Sequence, residues 1–219
     1  MALRAVIFDY GMVLSAAADP EAHRELVRIF GTPAEDFERE YWAYRHAYDA
    51  GEFDGAGYWQ RCAQGAGVML TDEQIRMLIA NDIKMWSSLN QPMVDWAVTI
   101  SRSGFKTGIL SNIPFEIADV FKEIDWVKGF THNTWSCYLR LAKPDPAIYH
   151  HVVDALQVRP EEVLFLDDRQ ENVLSAEAVG LQGILFRDVH QLQDELKVRG
   201  LTEILPPLKA EHTVFTPAL

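Results

Sequence analysis

Four polar positions in this sequence could together act on a charged substrate. Asp9 follows the apolar run AVIF at 5–8, while Ser111-Asn112 and Asp167-Asp168 follow two later apolar runs. Lys143 lies in the loop LAKPDP, just before a predicted helix. Carboxylates that are brought together repel one another unless a cation is present, and oxygen ligands without nearby histidine or cysteine favour Mg²⁺. These residue types therefore predict a pocket for Mg²⁺ and an anion.

In such a pocket Asp9 could act as a nucleophile toward phosphorus. Mg²⁺ and Lys143 would neutralise a bound phosphate, while Ser111 and Asn112 would donate hydrogen bonds to its oxygens. Attack by the carboxylate gives an acyl phosphate that water then hydrolyses. Each residue also has a structural alternative, because Ser111 or Asn112 could cap the helix that follows and Lys143 could be an exposed loop charge.

The fold that must position these residues is predicted from the order of apolar and amphipathic segments. Short, wholly apolar runs are typical of strands buried on both faces of a parallel sheet. From residue 91 onward, strands at 105–110, 163–166 and 183–186 alternate with helices, and a further short strand is expected near 129–131. This alternation predicts an α/β fold with a doubly wound, parallel, Rossmann-like sheet. The strand ends share one edge of such a sheet, where ligands bind.

The segment after the first strand has a different pattern, with helical spacing throughout and no strand-like alternation. We therefore predict that residues 1–15 and 90–205 form the α/β core. Residues 16–89 would form an inserted helical cap subdomain. Residues 206–219 show no periodicity and would form an extended C-terminal tail.

One predicted cap helix concentrates aromatic side chains. Phe37, Tyr41, Tyr44 and Tyr48 recur at helical spacing, which favours packing inside a helical bundle. Arg45 lies outside this stripe and could reach over the crevice to bind a substrate anion, or could be a solvated surface charge. A cap above the crevice would exclude water during attack.

The composition narrows the class of partner. The chain has 32 acidic and 20 basic residues, a formal net charge of −12. This balance argues against nucleic acid and anionic membrane surfaces, which both attract clustered lysine and arginine. Cys62 and Cys137 lack metal-ligand spacing and are expected to be buried thiols. With no long apolar segment and no signal-peptide organisation, we expect a soluble cytoplasmic protein; the sequence leaves its oligomeric state open.

Four short motifs occur in the order found in a known superfamily. They are FDYGMVL with Asp9, ILSN with Ser111, AKPDP with Lys143 and LFLDD with Asp168. On these motifs the chain resembles the haloacid dehalogenase-like (HAD) hydrolases, in the subgroup with a helical cap after the first strand. The resemblance covers about residues 3–186, nearly the whole predicted core.

The resemblance implies a metal site at the end of the first strand. Asp9 would be the nucleophile and would also bind Mg²⁺, together with the main-chain carbonyl of Gly11 and the carboxylate of Asp168. Asp167 would act as an auxiliary acid near the metal. The implied cofactor is therefore Mg²⁺.

The resemblance also implies a catalytic and substrate-binding set around this site. Ser111 and Lys143 would stabilise the phosphate and the intermediate. Asn112, Arg45 and Gly11 complete the predicted substrate-binding residues. The implied partner is a small phosphorylated metabolite.

The first motif departs from the usual pattern of the family's phosphatases. Those enzymes carry D-x-D, and the second aspartate protonates the leaving oxygen and then activates water. Here that position is Gly11, so the motif is a DxG variant without this acid. General acid–base assistance is typically worth about 10²–10⁴ in rate.

Three functions are compatible with this departure. The first, which we adopt, is a Mg²⁺-dependent phosphomonoester hydrolase that is slow or takes its acid from elsewhere, such as His46 or Asp19. The second is a metal-independent 2-haloacid dehalogenase, because a halide leaves without a proton. The third is a non-catalytic relative that binds a phosphorylated ligand or a protein.

Overall fold

The computed structural model describes residues 3–210 of the chain and contains one five-stranded parallel sheet within them. Its strands are β1 Ala5–Phe8, β2 Lys106–Ser111, β3 His132–Trp135, β4 Val163–Asp167 and β5 Gln182–Leu185. Their order across the sheet is β3-β2-β1-β4-β5, and every neighbouring pair is parallel. The predicted α/β Rossmann-like fold is confirmed.

Helices surround this sheet and also form the segment between β1 and β2. Before β2 they are α1 Pro20–Phe30, α2 Ala34–Ala43, α3 Arg45–Asp49, α4 Gly55–Ala66, α5 Asp72–Met85 and α6 Gln91–Arg102. After β2 they are α7 Phe115–Phe121, α8 Asp125–Lys128, α9 Ser136–Leu139, α10 Pro146–Leu156, α11 Gln170–Ala178 and α12 Val189–Val198. Short 3₁₀ turns occupy Pro160–Glu162 and Leu201–Glu203.

The central strand β1 lies where the winding of the chain reverses. The chain passes from β1 to β2 and β3 on one side, and then places β4 and β5 on the other. In open α/β sheets, ligands bind beyond the carboxyl ends of the strands at this switch point. Asp9 follows β1 directly, and its main-chain N–H donates to the carbonyl of Leu166 at 2.8 Å. The topology therefore places Asp9 at the mouth of the expected crevice.

Both faces of the sheet are buried, as the apolar runs predict. Val6 and Phe8 pack into one apolar cluster, and Ala5 and Ile7 pack into another on the opposite face. Residues of α6, α7 and α12 cover the first face, whereas α10 and α11 cover the second. This two-sided packing holds β1 rigidly beneath Asp9.

Residues 16–89, called the helical insert below, have an apolar core of their own. Phe37, Tyr41 and Tyr48 are buried in it beside Trp59, so three members of the predicted aromatic stripe pack as expected. The single helix predicted through this stripe is interrupted at Tyr44 (φ −113°, ψ 0°), which separates α2 from α3 and leaves its side chain only partly buried.

The two ends of the helical insert pair with each other beside the sheet. Ser15 and Leu89 form an antiparallel bridge, and Ala16 N–H donates to the carbonyl of Ser88 at 2.8 Å. The two segments that connect the helical insert to the α/β core therefore lie side by side. The boundaries predicted between core and cap, after residues 15 and 89, fall at this pairing. The division into two subdomains itself stays a prediction.

The beginning of the predicted tail packs on the core. Trp96 Nε1 donates to the carbonyl of Pro206, and Gln193 Nε2 donates to the carbonyl of Leu208, both at 2.8 Å. The rest of the predicted tail, 211–219, lies outside the described residues. Among residues 3–210, no helix is both long and apolar enough to cross a membrane.

Candidate active site

A cavity of about 580 Å³ lies between the carboxyl edge of the sheet and the helical insert. Its sheet side is lined by the predicted residues Asp9, Gly11, Ser111, Asn112, Lys143 and Asp168. The helical insert contributes Trp42, Arg45, His46, Asp49 and Trp86. Residues that are far apart in sequence thus enclose a space the size of a small metabolite.

The wide turn Tyr10–Leu14 positions the carboxylate of Asp9. Tyr10 N–H donates to Asp9 Oδ1 at 2.7 Å, and Lys143 Nζ lies 2.8 Å from the same oxygen. Both contacts fix Oδ1 and leave Oδ2 for a ligand. Met12 in this turn has φ 58°, an unusual conformation for a residue with a side chain and one that concentrates at functional sites.

Lys143 is buried between two carboxylates and is held there through its main chain. Its Nζ lies 2.7 Å from Asp167 Oδ2 and 2.8 Å from Asp9 Oδ1. Asn112 Oδ1 accepts a hydrogen bond from Lys143 N–H, and Asn112 Nδ2 donates to the Lys143 carbonyl, both at 2.8 Å. The Asn112 amide therefore positions Lys143, and its predicted role as a donor to phosphate stays a prediction.

The acidic pair at the end of β4 consists of one buried carboxylate and one that lines the cavity. Asp167 is fully buried, and its Oδ1 accepts hydrogen bonds from Arg169 N–H and Asn172 Nδ2, both at 2.9 Å. Asp168 is half-buried and lines the cavity. The two neighbours thus have different surroundings, since Asp167 holds Lys143 while Asp168 faces the space for a ligand.

The electrostatics of this edge favour a cation. One carboxylate oxygen each from Asp9, Asp167 and Asp168 lie within 4.8 Å of one another. Burial raises the pKa of Asp9 to about 7 against the attraction of Lys143, and burial also raises the pKa of Asp168. Three carboxylates against one lysine leave the site negative. Oxygen donors of this kind match the preference of Mg²⁺.

Arg45 lies buried at the cavity wall in a network of ion pairs. It is 8% exposed, and its Nη1 lies 3.0 Å from both carboxylate oxygens of Asp82. Its Nε donates to Asp49 Oδ1 at 2.8 Å, and Nη1 also donates to Tyr41 Oη. The guanidinium lines the cavity wall, so the predicted solvated charge is wrong, whereas the predicted binding of a substrate anion stays a prediction.

Sequence reasoning missed Asp49 and Asp82, although two signals were present. Arg45 and Asp49 are four residues apart, the spacing at which helical side chains pair. Asp82 lies at helical spacing from Leu78 and Met85, so a carboxylate falls on the apolar face of α5. An acid on such a face implies a buried cationic partner.

Of the two residues considered as replacement acids, only His46 lines the cavity. Its side chain is exposed. Asp19 instead caps α1 by accepting hydrogen bonds from the main-chain N–H groups of Glu21 and Ala22, which hold its pKa below the usual range. Asp19 is thus a structural cap and is kept ionised.

The helical insert is closed against the α/β core near α3. Tyr48 Oη donates to Glu116 Oε2 at 2.8 Å, and Gly55 N–H donates to Glu116 Oε1. Ser136 Oγ donates to the carbonyl of Asp49. These contacts join the cavity wall to α7 and α9, and such closure excludes water from a reacting site.

The ion pairs of Arg45 predict a large contribution to stability. Arg45→Met is expected to lower the free energy of unfolding by about 3–5 kcal/mol, because it leaves two carboxylates without their buried partner. The matched control Arg76→Met removes an arginine that is 67% exposed and pairs with the exposed carboxylate of Glu73. Its expected loss is below about 1 kcal/mol. Urea unfolding of both variants measures the difference, and equal losses would contradict this assignment.

Comparison with known proteins identifies the family. A family model for haloacid dehalogenase-like hydrolases matches residues 4–180. The chain belongs to this family. As a HAD-like hydrolase it carries the four motif residues Asp9, Ser111, Lys143 and Asp168 on a single cavity.

Individual relatives of this HAD-like hydrolase are more distant. Bifunctional epoxide hydrolase 2 of Sus scrofa is 31% identical over 72% of this chain, and flavin mononucleotide hydrolase 1 of Arabidopsis thaliana is 30% identical over 50% of it. The matches span 30% and 45% of those two proteins. A HAD family enzyme from Bacteroides thetaiotaomicron, solved with magnesium and inorganic phosphate, has the same fold. It is 21% identical, with a TM-score of 0.69 over 87% of this chain and 99% of the other.

Proposed function

We propose that this HAD-like hydrolase is a Mg²⁺-dependent phosphatase of small phosphorylated metabolites, with Asp9 as the nucleophile. The observation that carries the proposal is the meeting of Asp9, Ser111, Lys143 and Asp168 on the sheet side of one cavity. The solved relative that holds magnesium and inorganic phosphate supports it, as does the name of the plant flavin mononucleotide hydrolase.

The metal would be held by the carboxylates of Asp9 and Asp168 and by the main-chain carbonyl of Gly11. Asp167 would be the auxiliary acid beside it, because its own oxygens are already bonded to Lys143, Asn172 and the main chain. When bound, Mg²⁺ would offset the negative charge of the site and of the phosphate. Without a cation, a phosphate dianion would meet three carboxylates.

The residues of the chain would then divide the reaction between them. With Oδ1 fixed by Tyr10 N–H and Lys143, the Oδ2 atom of Asp9 attacks phosphorus, and the bond from phosphorus to the ester oxygen breaks. Lys143 and the hydroxyl of Ser111 stabilise the charge on the transferred group. Water then hydrolyses the aspartyl phosphate and releases inorganic phosphate. Closure of the helical insert keeps other water out during attack.

The test is the hydrolysis of an aryl phosphate with and without metal. We expect the purified protein to release p-nitrophenol from p-nitrophenyl phosphate in Mg²⁺, and chelation to lower the rate by about 10²-fold or more. Added Mg²⁺ should restore the rate. Chloride release from 2-chloropropionate in the presence of chelator would instead indicate a dehalogenase. No phosphate release from this ester or from a broad panel of phosphorylated metabolites would indicate a binding protein.

A further inference from the structure

We infer that Asp49, a residue of the helical insert, is the general acid and base that the first motif lacks. The inference rests on the proposed phosphatase function and adds a catalytic residue to it. The need for one arises at Gly11, which lines the cavity without a side chain. Apart from its two chain neighbours, a Cβ atom built on Gly11 has no heavy atom of the described residues within 4 Å, so the place of the usual acid is open space.

Asp49 belongs to a buried group of side chains in which the carboxylates outnumber the cations by one. Arg45 supplies one positive charge, whereas Asp49 and Asp82 would supply two negative charges. Asp82 is the better satisfied of the two acids, because both its oxygens lie 3.0 Å from Arg45 Nη1 and Tyr41 Oη donates to it at 2.7 Å. A surplus buried carboxylate takes up a proton readily. Asp49 is therefore the member of the group that can carry an exchangeable proton.

Asp49 and Asp82 also differ in their location and in their exposure to solvent. The side chain of Asp82 is 2% exposed and belongs to the interior of the helical insert, whereas that of Asp49 is 15% exposed and lines the cavity. Asp49 thus faces the same space as Asp9 and Ser111. The carboxyl group of Asp49 and the nucleophile Asp9 thus line the single space that a phosphate ester would occupy.

The surroundings of Asp49 suit proton transfer in both directions. Burial and, to a smaller extent, the charge of Asp82 outweigh the lowering effect of Arg45 and Arg169, so the pKa of Asp49 is raised to about 7. A general acid and base works best when both forms are populated near the operating pH. His46 also lines the cavity, but its side chain is exposed, whereas Asp49 is fixed by Arg45.

Asp49 is also fastened to the α/β core while the helical insert is closed. Its main-chain carbonyl accepts a hydrogen bond from Ser136 Oγ. Two residues later, Gly51 has φ +75° and lies so close to the Cys137 main chain that a Cβ atom would be 2.3 Å from the Cys137 oxygen. This contact between backbones holds the end of α3 against α9. The carboxyl group is therefore placed by both parts of the molecule.

Asp49 would exchange one proton in each of the two steps of the reaction. Asp9 forms a bond to phosphorus, the ester bond breaks, and the carboxyl group of Asp49 gives its proton to the departing oxygen, which leaves as an alcohol. The Asp49 carboxylate then takes a proton from water as that water attacks the aspartyl phosphate. The products are inorganic phosphate and free Asp9, with Asp49 protonated again.

The test compares Asp49→Asn with wild type on two esters in saturating Mg²⁺. For benzyl phosphate, whose alcohol is a poor leaving group, we expect kcat to fall by about 10²–10⁴-fold. For p-nitrophenyl phosphate, the phenolate leaves unaided but hydrolysis of the intermediate lacks its base. We therefore expect a rapid release of one equivalent of p-nitrophenol per enzyme, followed by slow turnover. Such a burst also demonstrates a folded active site.

Two further variants test whether the effect is specific to the carboxyl group of Asp49. Glu52→Gln removes an exposed carboxylate from the same segment and should leave both rates unchanged. In the Asp49→Asn background, Gly11→Asp should restore benzyl phosphate turnover at least about tenfold, because it returns an acid to the open space beside Asp9. The backbone at Gly11 (φ −59°, ψ 131°) accepts any side chain.

The outcomes separate the two proposals. If wild type hydrolyses neither ester, the phosphatase function is wrong and the role of Asp49 is wrong with it. If wild type is active and Asp49→Asn matches it on both esters, only the role of Asp49 is wrong. The role is also overturned if Asp49→Asn is slow without a burst and is not rescued by Gly11→Asp, or if His46→Asn alone shows the burst.

Discussion

Asp9→Asn is expected to abolish turnover, with a loss of at least about 10³-fold on p-nitrophenyl phosphate. The amide keeps the shape of the side chain, and its oxygen can still accept from Tyr10 N–H, but it cannot attack phosphorus. Lys143 stays paired with Asp167 at 2.7 Å, so we expect no large loss of stability. Steady-state rates and thermal unfolding of the same sample measure both effects.

The covalent intermediate gives this prediction a second measurement. Acid quenching of wild type during turnover should leave a phosphoryl group on the peptide that contains Asp9, and the variant should show none. Asp36→Asn, which changes an exposed carboxylate paired with Arg39, is the control and should behave like wild type. Phosphorylation of another peptide, or turnover by Asp9→Asn near the wild-type rate, would show that Asp9 is not the nucleophile.

Lys143→Met is expected to lower both activity and stability. The buried carboxylates of Asp9 and Asp167 would lose their cationic partner, which costs about 3–5 kcal/mol when one member of a buried pair is removed. Loss of a charge beside the transferred phosphate should lower kcat by about 10²–10³-fold. Unfolding is measured by urea titration in chelator, so that metal does not replace the lysine charge.

A double variant separates the structural from the catalytic part of this effect. Lys143→Met with Asp167→Asn removes one charge of each sign, and we expect it to recover part of the lost stability but none of the lost activity. Lys128→Met removes an exposed lysine that pairs with Glu123, and should change stability by less than about 1 kcal/mol. Recovery of activity in the double variant would mean that Lys143 serves the fold alone.

The strand most poorly anticipated illustrates the limit of local patterns. A short strand was expected near 129–131, but β3 begins at His132 and has the sequence HNTW. Its first two residues are polar, so no apolar run marks it. The strand forms because it pairs with β2 in the register Gly108 to His132, and a Cβ atom at Gly108 would lie 2.6 Å from the His132 oxygen. Such pairing is a property of two segments, and neither reveals it alone.

The sequence by itself determined the sheet edge and its principal residues. The buried strands of a parallel sheet have local apolar runs in the sequence. These runs therefore predict which residues, such as Asp9 and Ser111, lie at the strand ends. The ordered motifs gave Asp168 and Lys143 their implied roles and showed that Gly11 lacks the side chain of the usual acid. The α/β fold and the HAD-like family follow from this local information.

Only the tertiary structure decided which groups hold and complement these residues. Asn112 binds the main chain of Lys143 from 31 positions away, and Arg45 meets Asp82 across 37 positions. Ion pairs and hydrogen bonds between distant segments produce no periodic pattern in the sequence, because tertiary packing, and not sequence spacing, determines which residues meet. For this reason only the tertiary structure shows that Arg45 pairs with Asp82 and that Asp49 lines the same cavity as Asp9.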